Sequence, residues 1–345
     1  MNDDAAIVPA ISVCIPTYNG AAFLAETLSS VAAQTFRDFE VLIVDDGSSD
    51  DTLAIAERFA ATEPRARVIR NAERAGSSAG NANRAAGHAC GEWIKFLFQD
   101  DVIAPTCLAR MLDAGQRGPL VIAWHDYLFA PDVPDGVRQY YETLPTIRES
   151  LPAAYANPDE VCVAVIRHLG INFIGPTSSS FVRRDCFERY GGFTPEVAMF
   201  PDLEFWMRVG SNEGLSIVRE PLVSFRVHNR SISAQLREDS GRAFWYQLQW
   251  VLTLLLMARS PAYENFRQFA RRCDPPFDAR ALLAREAFDA RWVALDARFR
   301  GRDETLFAQW TALCERHPEM RDVMHDIDAG LPLWTKVRQF VKARL

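Results

Sequence analysis

The sequence predicts an α/β fold in which a mostly parallel central sheet carries helices on both faces, followed by an all-helical extension. Short apolar runs alternate with amphipathic helical patterns through the first half of the chain, as in parallel sheets with helical crossovers. Polar and acidic residues follow several of these runs directly, and strand patterns cease at about residue 235. We therefore expect two domains, residues 1–235 and residues 236–345.

The elements of the first half follow one another in a regular order. Apolar runs predict strands at residues 11–15, 40–44, 67–70 and 93–98, and apolar residues at helical spacing predict helices at residues 21–34, 53–59 and 79–90. Strand character returns at residues 120–124 and 178–182, with helices at residues 161–169 and 202–209. Residues 126–157, rich in Pro, Asp and Tyr, predict a long excursion between these elements.

After residue 235 the pattern is helical only. Residues 244–257 are intensely apolar but shorter than the ~18–20 residues that span a bilayer, so we expect a buried helix, with an interfacial helix as the alternative. In residues 331–345, Leu333, Val337 and Phe340 share one helical face, and the segment is basic with no acidic residue. Such a helix suits an anionic membrane surface, so we expect peripheral membrane contact there; packing on the protein body is the alternative.

Composition and charge argue against several function classes. The net charge of -7 argues against non-specific nucleic-acid binding, which needs a basic surface. The seven cysteines form no C-x-x-C pair, so we expect reduced thiols rather than a zinc site or a redox dithiol. The first residues are acidic where a signal peptide is basic, and we therefore expect a cytoplasmic protein, in peripheral contact with the inner face of the membrane if residues 331–345 dock there.

Two adjacent carboxylates, Asp100 and Asp101, follow the apolar run at residues 93–98. A carboxylate buried without a partner is costly, so the pair needs a compensating cation, which a divalent metal with oxygen ligands would supply. Residues 16–19 and 45–46 also follow strands, and ligands bind at the carboxyl ends of parallel strands, so we expect the three segments to meet at one site. The alternative is that Asp101 caps the next helix and Asp100 faces water.

Six segments resemble, in order and spacing, the inverting family-two glycosyltransferases, which have an A-type nucleotide-sugar fold. They read SVCIPTYN, VDDGSSD, GEWIKFL with QDD, GGF, DLEFWMR and RVH, at residues 12–19, 44–50, 91–101, 191–193, 202–208 and 226–228. The resemblance covers about residues 10–235 and leaves the last hundred or so residues outside it. It implies a hexosyltransferase-type enzyme that uses a nucleoside-diphosphate sugar.

The first two segments imply the nucleotide contacts. By resemblance, Tyr18 stacks on the base, while Pro16 and Thr17 offer backbone contacts. Asp46 accepts a hydrogen bond from the base ring N–H and Asp45 supports it; an ionised carboxylate suits this because it can only accept. The alternative for the acidic pair is a turn and N-cap before the next helix.

The remaining donor-site roles also come from the resemblance. Asn83 matches a nucleotide-binding Asn of the family, and Gln99 stands where the family's Asp-x-Asp element has its first Asp. Asp100 is then implied to hold the ribose or sugar, and Asp101 to bind the metal, Mn²⁺ or Mg²⁺, directly. His228 resembles a family His that helps to hold metal or diphosphate; a structural histidine is the alternative.

Asp202 matches the catalytic base of the family. Inverting transfer needs one carboxylate that takes the proton of the acceptor hydroxyl. Glu204 is the alternative base, and since residues two apart on a helix point in different directions, only one of the two should face the site. A carboxylate favoured by the helix dipole is the structural alternative for Asp202.

We therefore expect a metal-dependent glycosyltransferase that moves a sugar from a nucleoside-diphosphate donor, with UDP as the first choice of nucleotide. The acceptor is expected to be a hydroxyl of a glycan or lipid-linked molecule, and the transfer to invert the anomeric carbon. The expected pathway is the synthesis of cell-surface polysaccharide or glycoconjugate. A sugar-phosphate nucleotidyltransferase is one alternative, although residues 11–20 hold a single glycine and no Lys or Arg for a phosphate loop. A non-catalytic sugar-nucleotide-binding protein is the other.

Overall fold

The computed structural model describes residues 8–144, 146–151, 153–229, 231, 240–301 and 304–330. The chain divides into two compact units, Met1–Asn229 and Arg230–Leu345. The domain boundary predicted at residue 235 falls among residues 232–239, outside the described residues, so the assignment of domains stays a prediction.

Within the described residues, one sheet of nine strands forms the centre of the first unit. The strands are β1 (Ile11–Thr17), β2 (Phe39–Asp45), β3 (Ala66–Arg70), β4 (Trp93–Phe96), β5 (Val102–Ile103), β6 (Leu120–Phe129), β7 (Tyr155–Ala156), β8 (Ser180–Arg183) and β9 (Leu215–Val227). Their order across the sheet is β3-β2-β1-β4-β8-β6-β9-β5, with β7 paired to β9.

The longest ladders of the sheet are parallel. Strands β1, β2, β3 and β4 pair in parallel, and so do β6 and β9. The short strands β5, β7 and β8 pair antiparallel to their neighbours, and β8 separates β4 from β6. The predicted α/β fold with a mostly parallel sheet is confirmed, and the antiparallel insertions are the feature that the sequence did not indicate.

Nine α-helices connect these strands in the described part of the first unit. They are α1 (Leu24–Ala32), α2 (Thr52–Thr62), α3 (Ser78–Gly87), α4 (Cys107–Ala114), α5 (Asp135–Thr143), α6 (Ile147–Ser150), α7 (Pro158–Arg167), α8 (Arg184–Arg189) and α9 (Pro201–Glu213). Helix α1 shows how the pattern specifies the packing, because Leu24, Leu28 and Val31 lie on one face and join a core cluster with alternate residues of β1 and β2. Residues on the other face of these strands are buried too, as expected for central parallel strands.

Residues 126–157 are more regular than predicted. Strand β6 continues to Phe129, and α5, α6 and β7 follow. Helix α6 begins at a capping box between Thr146 and Glu149, and Arg148 on it pairs with Asp126 at 2.7 Å. These elements are short, and they are held by contacts between residues distant in sequence. For this reason the composition of the segment predicted a long loop instead.

The described part of the second unit is helical. Its helices are α10 (Ser240–Arg259), α11 (Glu264–Arg272), α12 (Ala279–Phe299), α13 (Glu304–Arg316) and α14 (Met320–Gly330). The apolar segment 244–257 lies within α10, where Phe244, Val251 and Leu255 are buried. None of the helices described is both long and apolar enough to cross a membrane. The predicted amphipathic helix at residues 331–345 lies outside the described residues.

Candidate functional site

Tyr18 lies at the protein surface, in the loop that follows the carboxyl end of β1. Its ring is 39% exposed, and the Arg74 guanidinium lies 4.0 Å from the ring centroid. The Gln99 amide fixes the Tyr18 peptide twice, accepting from its N–H at 2.9 Å and donating to its carbonyl at 3.0 Å. A Cβ on Gly20 would lie 2.1 Å from Gln99 Oε1, so this close approach requires glycine. The platform predicted for a nucleotide base is thus held by the strand that carries the acidic pair.

The two carboxylates after β2 have different surroundings. Asp45 accepts hydrogen bonds from the backbone N–H groups of Gly47 and Ser48 at 3.1 and 3.0 Å, and from the Ser48 hydroxyl, which is the arrangement of a turn. Asp46 accepts through Oδ1 from the Ala75 N–H at 2.5 Å and from the Asn71 amide at 2.8 Å. Asp45 therefore shapes the loop, while Asp46 is tied to the loop before α3.

The Asn83 side chain is committed to a backbone turn. Its Nδ2 donates to the Phe193 carbonyl at 2.8 Å, and its Oδ1 accepts from the Phe193 N–H at 2.9 Å. Gly192 has φ 68, and a Cβ there would lie 2.8 Å from Asn83 Oδ1. The amide of Asn83 thus fixes the Gly191-Gly192-Phe193 turn, and its predicted contact with the nucleotide stays a prediction.

Asp100 and His228 face each other at the ends of their strands. His228 Nε2 lies 3.0 Å from Asp100 Oδ2, and the side chain of Asp100 is 22% exposed. The His228 ring packs on Phe23 with centroids 4.6 Å apart. The Asp100 carbonyl accepts from Arg226 Nε at 2.8 Å, and this bond fixes the position of the Asp100 peptide. The structure therefore pairs His228 with Asp100.

Asp101 is fully buried, and both of its oxygens have protein partners. Oδ1 accepts from the Arg226 N–H at 2.9 Å, and Oδ2 accepts from the Ser178 hydroxyl. Burial, together with the negative charge of Asp100, raises the pKa of Asp101 well above its usual range. Both oxygens of Asp101 are thus engaged by the protein, and direct binding of a metal by Asp101 stays a prediction. Asp101 does not cap α4; the residue before that helix is Thr106.

Asp202 lies in the first turn of α9. Its Oδ2 accepts from the Thr177 hydroxyl at 3.1 Å, and its Oδ1 accepts from the Leu203 N–H at 2.7 Å. Burial raises the pKa of Asp202, and the two hydrogen bonds oppose that rise. A carboxylate whose pKa lies above its usual range is a better proton acceptor near neutral pH than an ordinary aspartate.

Glu204, the alternative base, is used elsewhere. It is fully buried, and its two oxygens accept from Arg208 at 2.8 and 2.9 Å. Arg208 also donates to the Gly192 carbonyl at 2.8 Å, and Thr194 donates to Glu204 at 2.9 Å. This buried ion pair supports the turn that Asn83 also holds, so Asp202 is the one of the two candidate bases that remains for chemistry.

The turn at Thr177–Ser179 was not predicted to be part of the site. Ser178 donates to Asp101 and Thr177 donates to Asp202, so adjacent residues contact both carboxylates. Lys95, fully buried in β4, donates to the Ser178 carbonyl. A run of four hydroxyl side chains at residues 177–180, all buried, is the signal in the sequence that could have indicated this role.

Asp100 and His228 could together offer a cation one carboxylate oxygen and one imidazole nitrogen, in exchange for the 3.0 Å hydrogen bond between them. Among the described residues, no group of three or more His, Cys, Asp or Glu could hold a metal ion. Two protein ligands fit a divalent cation that completes its coordination with substrate phosphates and water, as Mg²⁺ commonly does. The residues present therefore fit a metal that binds together with a diphosphate.

The chain matches a known family over its first half. The profile of glycosyl transferase family 2 matches residues 12–170. An uncharacterized protein of Mycobacterium tuberculosis is 31% identical over 253 residues, which cover 72% of this chain and 76% of that protein. A GalNAc(5)-diNAcBac-PP-undecaprenol beta-1,3-glucosyltransferase of Campylobacter jejuni is 30% identical over 111 residues, which cover 32% of this chain and 36% of that protein.

Solved structures share the fold. Staphylococcus aureus TarS 1-349 in complex with UDP matches with a TM-score of 0.53 and 19% identity, covering 92% of this chain and 88% of that chain. The mannosyltransferase PcManGT from Pyrobaculum calidifontis, in complex with GDP-Man and Mn²⁺, matches with a TM-score of 0.52 and 20% identity, covering 90% of this chain and 87% of that chain. At these identities the likeness concerns the fold. The sequence match to the family and to the mycobacterial relative decides the assignment: this chain is a glycosyltransferase and belongs to glycosyl transferase family 2, as its six segments predicted.

Proposed function

We propose that the protein transfers a hexose from a UDP-sugar to a hydroxyl of a glycan or lipid-linked acceptor, with inversion at the anomeric carbon and with a divalent metal. The observation that carries this proposal is the turn Thr177–Ser179. Ser178 in this turn donates a hydrogen bond to Asp101, next to Asp100, and Thr177 donates one to the candidate base Asp202. Donor activation and proton removal are thereby supported by adjacent residues.

The nucleotide is proposed to bind across the loops after β1 and β2. Tyr18, which is 39% exposed and carries Arg74 over its ring, is proposed to stack on the base, and Pro16 and Thr17 lead the chain into that loop. The carboxylate of Asp46, whose Oδ1 is held by Ala75 and Asn71, is proposed to accept from a base N–H, and Asp45 holds the loop in shape. UDP is the first choice of nucleotide because TarS, of the same fold, was solved with UDP; a uracil ring has the N–H that this contact needs.

The metal is proposed to bind between Asp100 and His228 rather than at Asp101. Bound there, Mn²⁺ or Mg²⁺ would neutralise negative charge on the diphosphate leaving group. PcManGT, of the same fold, was solved with Mn²⁺, which supports a divalent ion without identifying it here. Asp101 fixes the adjoining backbone through Arg226 and Ser178 and so sets the position of Asp100.

Asp202 is proposed to act as the general base. As the acceptor oxygen bonds to the anomeric carbon, its proton passes to Asp202 and the bond to the donor phosphate breaks, with the electron pair leaving on the diphosphate. A single displacement from the opposite side inverts the anomeric configuration. The raised pKa of Asp202 suits this proton transfer.

The acceptor is proposed from the relatives. The Campylobacter relative is named for a polyprenyl-diphosphate-linked glycan acceptor, and this chain matches about a third of that protein. A lipid-linked or polysaccharide acceptor, in cell-surface glycan synthesis, is the corresponding proposal here. Membership of a glycosyltransferase family argues against the nucleotidyltransferase alternative; the non-catalytic alternative is left to experiment.

The test is calorimetric titration of UDP and GDP, with and without Mn²⁺, on wild type, Asp100→Asn and the control Asp113→Asn. Asp113 is an exposed carboxylate of α4 and should change nothing. We expect UDP affinity to rise with Mn²⁺ in wild type and not in Asp100→Asn. No binding of either nucleotide would refute the donor assignment. Asp202→Asn, expected to bind UDP normally and to lose transfer from a UDP-hexose, separates an enzyme from a binding protein.

A further inference from the structure

Lys95 is a cation buried in the middle of the sheet. It lies in β4, beside β1 and β8, and none of its side chain is exposed. Lysine is almost never fully buried unless it is paired, because its charge must otherwise be desolvated without compensation. The proposed reaction does not use Lys95, so its burial has a different reason.

The ammonium of Lys95 donates to the backbone around the hydroxyl-rich turn. Nζ bonds the Ser178 carbonyl, and it lies 3.4 Å from the Ser180 carbonyl. These two carbonyls belong to the middle residue of the Thr177–Ser179 turn and to the first residue of β8. Hydrogen bonds from a charged donor to buried carbonyls are stronger than neutral ones, so Lys95 fixes this backbone firmly.

The same turn hydrogen-bonds two carboxylates of the site, Asp101 and Asp202. The Ser178 hydroxyl donates to Asp101 and accepts from the Phe98 N–H at 3.0 Å, which leaves it a single orientation. The Thr177 hydroxyl donates to Asp202 at 3.1 Å. A shift of this backbone would therefore move the hydrogen bond of the base and the support beneath Asp100 together.

Charge supports the same arrangement. Asp101 is fully buried next to Asp100, so two carboxylates lie at the end of one strand. The side chain of Lys95 is also fully buried, and its ammonium group lies close enough to Asp101 for the two groups to attract each other. Arg226 gives Asp101 a backbone N–H, while its guanidinium reaches the Asp100 carbonyl and Glu26.

We propose that Lys95 is a positioning residue of the transferase: by binding the Ser178 and Ser180 carbonyls it holds the turn that orients Asp101, beneath the donor carboxylate, and the base Asp202. This inference rests on the proposed function, and it assigns to a buried strand residue an effect on both the metal-dependent donor affinity and the transfer rate.

The test compares Lys95→Met, which is unbranched and one atom shorter and removes the donors, with Ser178→Ala and with the control Val41→Ala. Val41 is fully buried in β2, away from the turn, and reports general loss of stability. For each variant, thermal unfolding, UDP affinity with and without Mn²⁺, and the rate of UDP release from a UDP-hexose are measured.

We expect Lys95→Met to lower the Mn²⁺-dependent UDP affinity and the rate of UDP release at least tenfold each, with the Mn²⁺-free UDP affinity unchanged. Because both residues act through one turn, the double variant with Ser178→Ala should lose less than the product of the two single losses. Should Lys95→Met not fold, Ser178→Ala, which keeps both buried charges, is expected to show the same selective loss.

Wild-type Mn²⁺-dependent affinity in a folded Lys95→Met, or in Ser178→Ala alone, would overturn the inference. So would an equal loss in Val41→Ala at a similar melting temperature, because that would reflect stability alone. Absence of UDP binding in the wild type would instead refute the proposed function, and the two failures are thereby distinguished.

Discussion

Replacing Thr177 with valine should shift the acid limb of the pH–rate profile to higher pH. Thr177 donates to Asp202 at 3.1 Å, and this bond favours the ionised carboxylate, whose pKa burial already raises. A hydrogen bond to a charged group contributes about 1.5–3 kcal/mol. At about 1.4 kcal/mol for each pKa unit, its loss would raise the pKa of the base by about one to two units. Asp202 is partly accessible, so water replaces some of the bond and we expect a rise of about one unit.

The assay is the rate of UDP release from a UDP-hexose at saturating donor and Mn²⁺, measured from about pH 5 to pH 9. The base acts only when it is ionised, so the variant should be slower than wild type at low pH and approach it as the pH rises. Thr177→Ser keeps the hydroxyl and should retain the wild-type profile. An unchanged acid limb in a folded Thr177→Val that binds UDP normally would refute the assignment of Asp202, or of its contact with Thr177, to the rate-limiting proton transfer.

Three further outcomes follow from the site. Asp100→Asn should abolish the gain in UDP affinity on adding Mn²⁺, a loss of about 10–100-fold by calorimetry; an unchanged gain would place the metal elsewhere. Gly20→Ala puts a Cβ against the Gln99 amide, so UDP affinity should fall, and Gln99→Ala in the same chain should restore part of it. Glu204→Gln leaves Arg208 buried without its counter-charge, and the free energy of unfolding in urea should fall by about 3–5 kcal/mol; a change below about 1 kcal/mol would contradict the buried ion pair.

The sequence predicted the parallel half of the sheet well, and for a physical reason. Strands buried on both faces are mostly apolar, and such runs are visible in β1, β2 and β4 without any knowledge of the fold, although the buried Lys95 interrupts the run in β4. The segment around β7 gave no such signal. Its two-residue strand and the short helix α6 depend on caps and on an ion pair with β6, which composition does not reveal.

The structure brings several of the predicted site residues into contact, in an arrangement that the sequence did not indicate. Asp100 and Asp101 are adjacent, so their side chains point in different directions, and the sequence does not say which direction is open. The structure directs Asp101 inward to Ser178 and Asp100 toward His228. The sequence pattern did not predict a role for Lys95, because its hydrogen-bond partners lie more than 80 residues away along the chain.

The Gln99 amide gives the donor site a fixed part that does not titrate. Its two hydrogen bonds to the Tyr18 peptide use a neutral donor and a neutral acceptor, so neither is gained or lost as the pH changes. An aspartate at that position would accept from the Tyr18 N–H, but at neutral pH it could not return a bond to the carbonyl. The aromatic platform therefore keeps its orientation across the pH range in which the carboxylates of the site take up protons. The proposed stacking platform is in that sense insulated from the proton transfer that is proposed for Asp202.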